Sequence, residues 1–194
     1  GLPAHVAIPR AMSIGLRPGY FGGNYLGVQH TPTSEADRIS EASAVILPGV
    51  GSAGHAMRSL SDAGLLGTLQ KLDRPFLGVC LGLQLLFEST AEGEEDCLAI
   101  LEGRVSRFSS PGLKVPHVGW NRVCRKEVTA GGLLEGIREG SYFYFVHSYY
   151  AKPDNDSLVL GTTDYSISFC SVLASKNIIA TQFHHEKSGG VGLR

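Results

Sequence analysis

The chain has 194 residues, 43% of them hydrophobic and 18% charged, with a formal net charge of −1. These are the values of an ordinary soluble globular protein with one sizeable core. They give no reason to expect nucleic acid or an anionic membrane as a partner, and no apolar run approaches the ~18 residues that span a bilayer.

Residues 1–35 carry little clean periodicity. AVILPG (44–49) then reads as a buried strand that closes in the glycine-rich turn Leu47-Pro48-Gly49-Val50-Gly51. A helical pattern runs from Ser59 to Leu72. PFLGV (75–79) is a second strand, followed by a helical LQLLFEST (83–90) with Leu83, Leu86 and Phe87 on one side. Further strands are expected at SYFYFVHSYY (141–150), SLVLGTT (157–163) and IIATQFH (178–184). Strand and helix alternate in the first half and strands dominate the second, the pattern of an α/β fold with a mixed sheet and an antiparallel portion. The expectation is one domain over residues 1–194, atypical in its first 36 residues. The chain stops at SGGVGLR, where a fresh helix would begin, so a C-terminal helix is expected to be missing.

The four cysteines, Cys80, Cys97, Cys124 and Cys170, include no CxxC pair, so no metal site is expected. In a chain of this length they read as thiols of a reducing cytosol. Cys80 stands apart, in Gly78-Val79-Cys80-Leu81-Gly82, where an apolar run turns into a helical pattern. Glycines two positions either side remove the side-chain clashes of a sharp strand-to-helix turn. The cysteine then projects at a helix N-terminus, where backbone N–H groups favour the thiolate and can hold an oxyanion. A packed core cysteine is the plain alternative.

A cysteine nucleophile needs a base, and the base needs orienting. Of the seven histidines, His5, His30 and His55 have no catalytic setting. The run Gln182-Phe183-His184-His185-Glu186-Lys187-Ser188 does: in extended chain, residues i and i+2 share a side, so Glu186 can hold His184 while His185 points away. A solvated polar loop is the alternative reading. The Val50–Gly51 turn, with its exposed N–H groups, is a candidate second half of an oxyanion site.

Together LPGVG (47–51), GVCLGLQ (78–84) and QFHHEKS (182–188) resemble the class I (triad) glutamine amidotransferases. Val115-Pro116-His117-Val118-Gly119-Trp120-Asn121 and Tyr144-Phe145-Val146-His147-Ser148-Tyr149-Tyr150 are similar to signatures of one branch, the glutaminase subunits of imidazole glycerol phosphate synthase. The resemblance runs from about residue 37 to residue 190. It implies a three-layer, flavodoxin-like mixed sheet flanked by helices. It implies Cys80 as nucleophile, His184 as base and Glu186 as its orienter, and an oxyanion site from Val50, Gly51 and Leu81. Gln84, Glu92, Ser148 and Tyr149 would grip glutamine. His117, Trp120 and Asn121 would face a (β/α)8-barrel cyclase subunit that receives the ammonia in histidine biosynthesis. No cofactor, metal, nucleic acid or membrane is implied, and the location implied is cytoplasmic. The glutaminase of another pathway and an inactive scaffold subunit are the alternatives.

Two departures stand out. The family reads His-Pro-Glu where this chain has His184-His185-Glu186, which removes a residue that fixes φ. Gly19-Tyr20-Phe21-Gly22-Gly23-Asn24 echoes the family's opening D-Y-G-x-G-N without its aspartate, and too few residues are expected to follow for the usual first helix and second strand.

Overall fold

The structure is a computed structural model that describes residues 11–14, 24–25, 28–126, 134 and 136–192. His5 and the echo at residues 19–23 lie outside the described residues. The elements, in chain order, are β1 (Ala11–Ile14), β2 (Asn24–Tyr25), β3 (Val28–Thr33), α1 (Ala36–Glu41), β4 (Ala44–Gly49), α2 (Ala53–Asp62), α3 (Leu66–Gln70), β5 (Phe76–Cys80), α4 (Leu81–Gln84), β6 (Ser89–Thr90), β7 (Glu95–Asp96), β8 (Gly103–Arg107), β9 (His117–Arg122), β10 (Cys124–Arg125), β11 (Tyr142–His147), β12 (Tyr149–Pro153), β13 (Val159–Asp164), β14 (Ser168–Ser175), β15 (Ile178–Thr181) and α5 (Gly189–Gly192). The main sheet among the described residues runs β10-β13-β14-β15-β5-β4-β1-β3-β2. Strands β3, β1, β4, β5 and β15 are parallel, and β14, β13 and β10 continue the sheet antiparallel. The mixed α/β sheet is as expected. The register places Gly49 beside Cys80 and Thr181 beside Val79, so the ends of three neighbouring strands converge on one spot.

Every residue of β4 is buried, which is why AVILPG reads as an unbroken apolar run. Helix α2 buries Ala53, Ala56 and Leu60, a helical stripe, against an aliphatic core that includes Val45, Leu47, Leu83 and Leu173. A second core is aromatic: Phe108, Phe143, Phe145, Tyr150, Phe169 and Phe183.

Several expected elements are corrected. The single helix from Ser59 to Leu72 is two helices, because Gly64 adopts φ +68 between them. The helix expected at 83–90 is the four-residue α4. The carbonyls of Leu85, Leu86 and Phe87 accept instead from the amides of Leu98, Ile100 and Ala99, and Ser89–Thr90 is a strand. The run 141–150 breaks at Ser148 into β11, paired with β9, and β12, paired with β8 in a separate sheet. The second strand thought to lack room near the N-terminus is β3, and the short helix α1 follows it before β4. Residues 184–186 are not extended throughout, since His185–Lys187 form a 3-10 turn.

Candidate active site

Cys80 ends β5 and immediately caps α4, with φ 55 and ψ −108, a left-handed geometry rare for a residue with a side chain. The flanking glycines are required by close approach. A Cβ on Gly82 would sit 1.8 Å from the Leu47 carbonyl oxygen, and one on Gly78 would sit 2.9 Å from the Gly82 carbonyl oxygen. The turn is therefore wedged against β4, and Cys80 is held by backbone sterics. Because α4 is only one turn long, what it offers at Cys80 is unpaired N–H groups rather than a long helix dipole.

The Cys80 thiol borders a cavity of about 390 Å³. Val50, Gly51, Leu81, Gln84, Glu92, Ser148, Tyr149 and His184 all line it, so the nucleophile, base, oxyanion and glutamine-gripping candidates share one space. Gly51 adopts φ +102, and the half-open Val50 beside it forms part of the rim. A larger groove of about 1130 Å³, lined by Arg104, Lys152 and Asp154 among others, contains none of these residues.

His184 is 2% exposed. Its Nδ1 lies 2.8 Å from Glu186 Oε1, so the carboxylate reaches its partner across a 3-10 turn rather than along a strand. Its Nε2 is buried without a nitrogen or oxygen partner. Burial alone would lower the imidazole, but the Cys80 sulfur and the Glu186 carboxylate outweigh it and raise it to about 9. The backbone of His184 is pinned to β11: its N–H donates to the Tyr144 carbonyl at 2.9 Å. The Ser188 hydroxyl accepts from Tyr144 N–H at 3.0 Å and donates to the His184 carbonyl at 2.5 Å. The His185 ring meets Phe183 edge to face, with Nε2 2.9 Å from the Thr181 hydroxyl. It is half-buried, and burial pushes it down to about 4.

The other thiols differ from Cys80. Burial, with Asp96, Glu95 and Glu92 adding to it, pushes Cys97 up to about 11. Burial holds Cys170 at about 12. Cys124 is exposed and far along the sheet, on the edge strand β10.

The glutamine-gripping candidates are differently engaged. Gln84 is buried, and its amide nitrogen donates to the Tyr149 carbonyl at 2.9 Å and to Gln182 Oε1 at 3.0 Å, which leaves its carbonyl oxygen as what it can offer a substrate. Glu92 Oε2 accepts from Ala53 N–H at 2.7 Å, closing the first turn of α2 where Ser52 makes no side-chain cap. Of the partner-facing candidates, Trp120 is 54% exposed, edge-on to Tyr144. Asn121 is half-buried. His117 is corrected: it is 4% exposed, sandwiched between Phe145 and Tyr165, and has no surface to give a partner. Sequence reasoning gave no separate part to Gln182, His147 or Ser188. Their partners lie up to 102 residues away, and the only sequence signal of them is that all three fall inside the QFHHEKS and YFVHSYY motifs.

Residues 24–192 match the family model "Glutamine amidotransferase class-I". The chain belongs to the class I glutamine amidotransferase family. Within it, the chain is 46% identical over 188 residues to the imidazole glycerol phosphate synthase subunit HisH of Dehalococcoides mccartyi, covering 90% of each. It is 48% identical over 167 residues to HisH of Nitrosococcus oceani, covering 84% of this chain and 79% of that one. Solved structures share the fold: a glutamine amidotransferase at TM-score 0.70 and 15% identity, covering 94% of both chains, and the Trypanosoma brucei CTPS glutaminase domain at TM-score 0.64 and 14% identity, covering 95% and 90%.

Proposed function

We propose that the chain is the glutaminase subunit of an imidazole glycerol phosphate synthase, hydrolysing glutamine to glutamate and ammonia and delivering the ammonia to a cyclase subunit for histidine biosynthesis. The observation that carries this is the convergence, in one cavity, of a strained Cys80 on a glycine-wedged turn with the buried His184, whose Nδ1 is held by Glu186. Cys80 gives its proton to His184 Nε2 and attacks the side-chain carbonyl carbon of glutamine. The oxyanion is held by backbone N–H groups of the Val50–Gly51 turn and Leu81. The tetrahedral intermediate collapses as His184 returns the proton to the departing nitrogen, which leaves as ammonia. Water, deprotonated by His184, then attacks the thioester, and the Cys80–carbonyl bond breaks to release glutamate. Glu186 keeps Nδ1–H bonded, which directs Nε2 to the chemistry. The high position of His184 suits a group that must hand a proton to an amine leaving group near neutral pH.

The exposed Trp120 on β9 supports a docking surface for a barrel-shaped cyclase. Free cysteines throughout the described residues support a reducing, cytoplasmic setting. Among the described residues no helix is long and apolar enough to cross a membrane.

The test is glutamine hydrolysis with and without the cyclase subunit of a histidine-biosynthesis synthase. Wild type is expected to hydrolyse glutamine when the cyclase is present, and Cys80→Ala to lose roughly 10³-fold or more. The Cys80→Ala complex supplied with ammonium is expected to retain the cyclase reaction. Full glutaminase activity in Cys80→Ala, or no activity of the wild type with any cyclase, would overturn the assignment.

A further inference from the structure

Two buried histidines, His117 and His147, take no part in the chemistry above. Their rings touch: His117 Nδ1 lies 3.0 Å from His147 Nε2. At one end, the Asn121 amide nitrogen lies 3.2 Å from His117 Nε2. At the other, His147 Nδ1 lies 2.7 Å from the Tyr149 carbonyl oxygen. We propose that His117 and His147 form a hydrogen-bond relay with a single direction, each proton-bearing at Nδ1 only, that fixes the Tyr149 carbonyl and through it the Gln84–Gln182 amide pair behind Cys80. The inference rests on the glutaminase reading of the site.

The direction follows from two backbone carbonyls, which can only accept. Asn121 Nδ2 is 2.9 Å from the Asp164 carbonyl, and Asn121 Oδ1 accepts from Arg122 N–H at 2.8 Å, so the amide group of Asn121 is oriented from both sides. It must therefore donate to His117 Nε2. That nitrogen accepts, so His117 carries its proton on Nδ1 and donates to His147 Nε2. That nitrogen in turn accepts, so His147 carries its proton on Nδ1 and donates to the Tyr149 carbonyl. A second proton on either ring would bring two donors face to face. Burial agrees: it pushes His117 down to about 4 and His147 down to about 3.

The Tyr149 carbonyl is a node. It also accepts from Gln84, whose amide nitrogen donates in addition to Gln182 Oε1. With its oxygen facing Gln84, Gln182 must turn its amide nitrogen to Cys80, and Gln182 Nε2 lies 3.7 Å from the sulfur. Each amide is thus oriented by the one before it, and the hydrogen bonds run without a break from Asn121, next to Trp120 on β9, to the nucleophile. His117 and His147 are positioning residues, while Gln182 is the group that touches the reacting atom.

The first test reads the tautomers directly in the full-length wild-type chain, by long-range ¹H–¹⁵N correlation of the imidazoles at neutral pH. Both rings are expected neutral with the proton on Nδ1. A proton on Nε2, or an imidazolium, at either ring overturns the relay whether or not the chain is a glutaminase. The second test compares His147→Asn, which keeps a donor near the Nδ1 position, with His147→Phe, which keeps only the ring volume. With cyclase present and melting temperatures matched, kcat/KM for glutamine is expected to fall by about tenfold or more in His147→Phe and substantially less in His147→Asn. Equal activity of the two variants overturns the positioning role. If His147→Phe does not fold, Gln182→Leu serves, and unchanged glutaminase activity there overturns the contact with Cys80. A wild type that shows the expected tautomers but no glutaminase activity sinks the proposed function and leaves the relay standing.

Discussion

The two walls of the cavity are held by different forces. The Cys80 wall, β4, β5 and α4, is fixed by backbone sterics: Cys80 is strained at φ 55, and its glycines abut Leu47 and one another too closely for any side chain. The His184 wall, β11 and residues 182–188, is fixed by side-chain hydrogen bonds, with β9 behind it: Ser188 to Tyr144 and His184, Gln84 to Gln182, His117 to His147. A steric wedge fails all at once when one atom is added. A hydrogen-bond network loosens by one bond at a time, and it responds to pH.

The sharpest contrast comes from adding one methyl group to the first wall. Gly82→Ala would place a Cβ 1.8 Å from the Leu47 carbonyl oxygen, where only backbone can yield. A loss of about 3 kcal/mol or more, or no folded protein, is expected from denaturant unfolding. A variant of wild-type stability would show that the elbow is not wedged. Removing one atom from the second wall does less. Ser188→Ala deletes the acceptor for Tyr144 N–H and a donor to His184, in a residue 1% exposed. The expected cost is about 1–3 kcal/mol, with glutaminase activity reduced more than the ammonium-dependent cyclase reaction.

Acid should act on the second wall alone. Folded His117, His147 and His185 stay neutral down to about 4, 3 and 4, whereas in the unfolded chain each takes a proton near 6.5. The unfolded state binds more protons below that value, so stability is lost as pH falls from 6.5 toward 4. His184 has the opposite sign. Raised to about 9, its contribution is complete below 6.5 and fades as pH rises through 9. Melting temperature is therefore expected to peak near neutrality with the steeper limb on the acid side. A flat acid limb would show these rings to be solvated.

The smallest effect is expected at His185→Pro. Position 185 opens a 3-10 turn, where proline's missing N–H costs least, and the gain from a stiffer unfolded chain is about 0.4–1 kcal/mol. Against it stands the lost bond to Thr181, about 0.5–1.5 kcal/mol. Calorimetry should find the variant within about 1 kcal/mol of wild type, active, and with a shallower acid limb. An inactive variant would mean that the His185 clip to Thr181 orders His184.

The same contrast explains what the sequence discloses. The elbow is legible because its causes lie within five residues: Gly78, Cys80 and Gly82 announce the turn that they make. His184 and Glu186 are legible because they are two apart, even though the backbone between them is a turn and not a strand. The relay is not legible, because its bonds join residues 30, 65 and 98 apart, and His117 on its own looks like part of the surface motif that surrounds Trp120. Strand β14 escapes periodicity since residues 169–173 are buried on both faces with Ser171 among them. The helix expected at 83–90 fails because the apparent stripe of Leu83, Leu86 and Phe87 is buried all round together with Leu85, and the carbonyls of residues 85–87 bond to residues 98–100, which the local pattern does not reveal.

Strand β15 carries the chain into the base segment, yet it lies in the middle of the main sheet, between β5 and β14. During synthesis, β5 is made roughly a hundred residues before the neighbour that pairs with it. Until Ile178–Thr181 emerge, one edge of β5 has unpaired N–H and C=O groups beside a buried apolar face, the kind of edge that sticks to other chains. Cys80, the proposed nucleophile, is likewise made long before His184, its proposed base. On the proposed mechanism a nascent chain is unable to hydrolyse glutamine, and the act of closing the sheet is also the act that brings His184 to Cys80. Such non-local, parallel closure is slow, so the yield of active protein should depend on how well the cell shields that gap while it remains open.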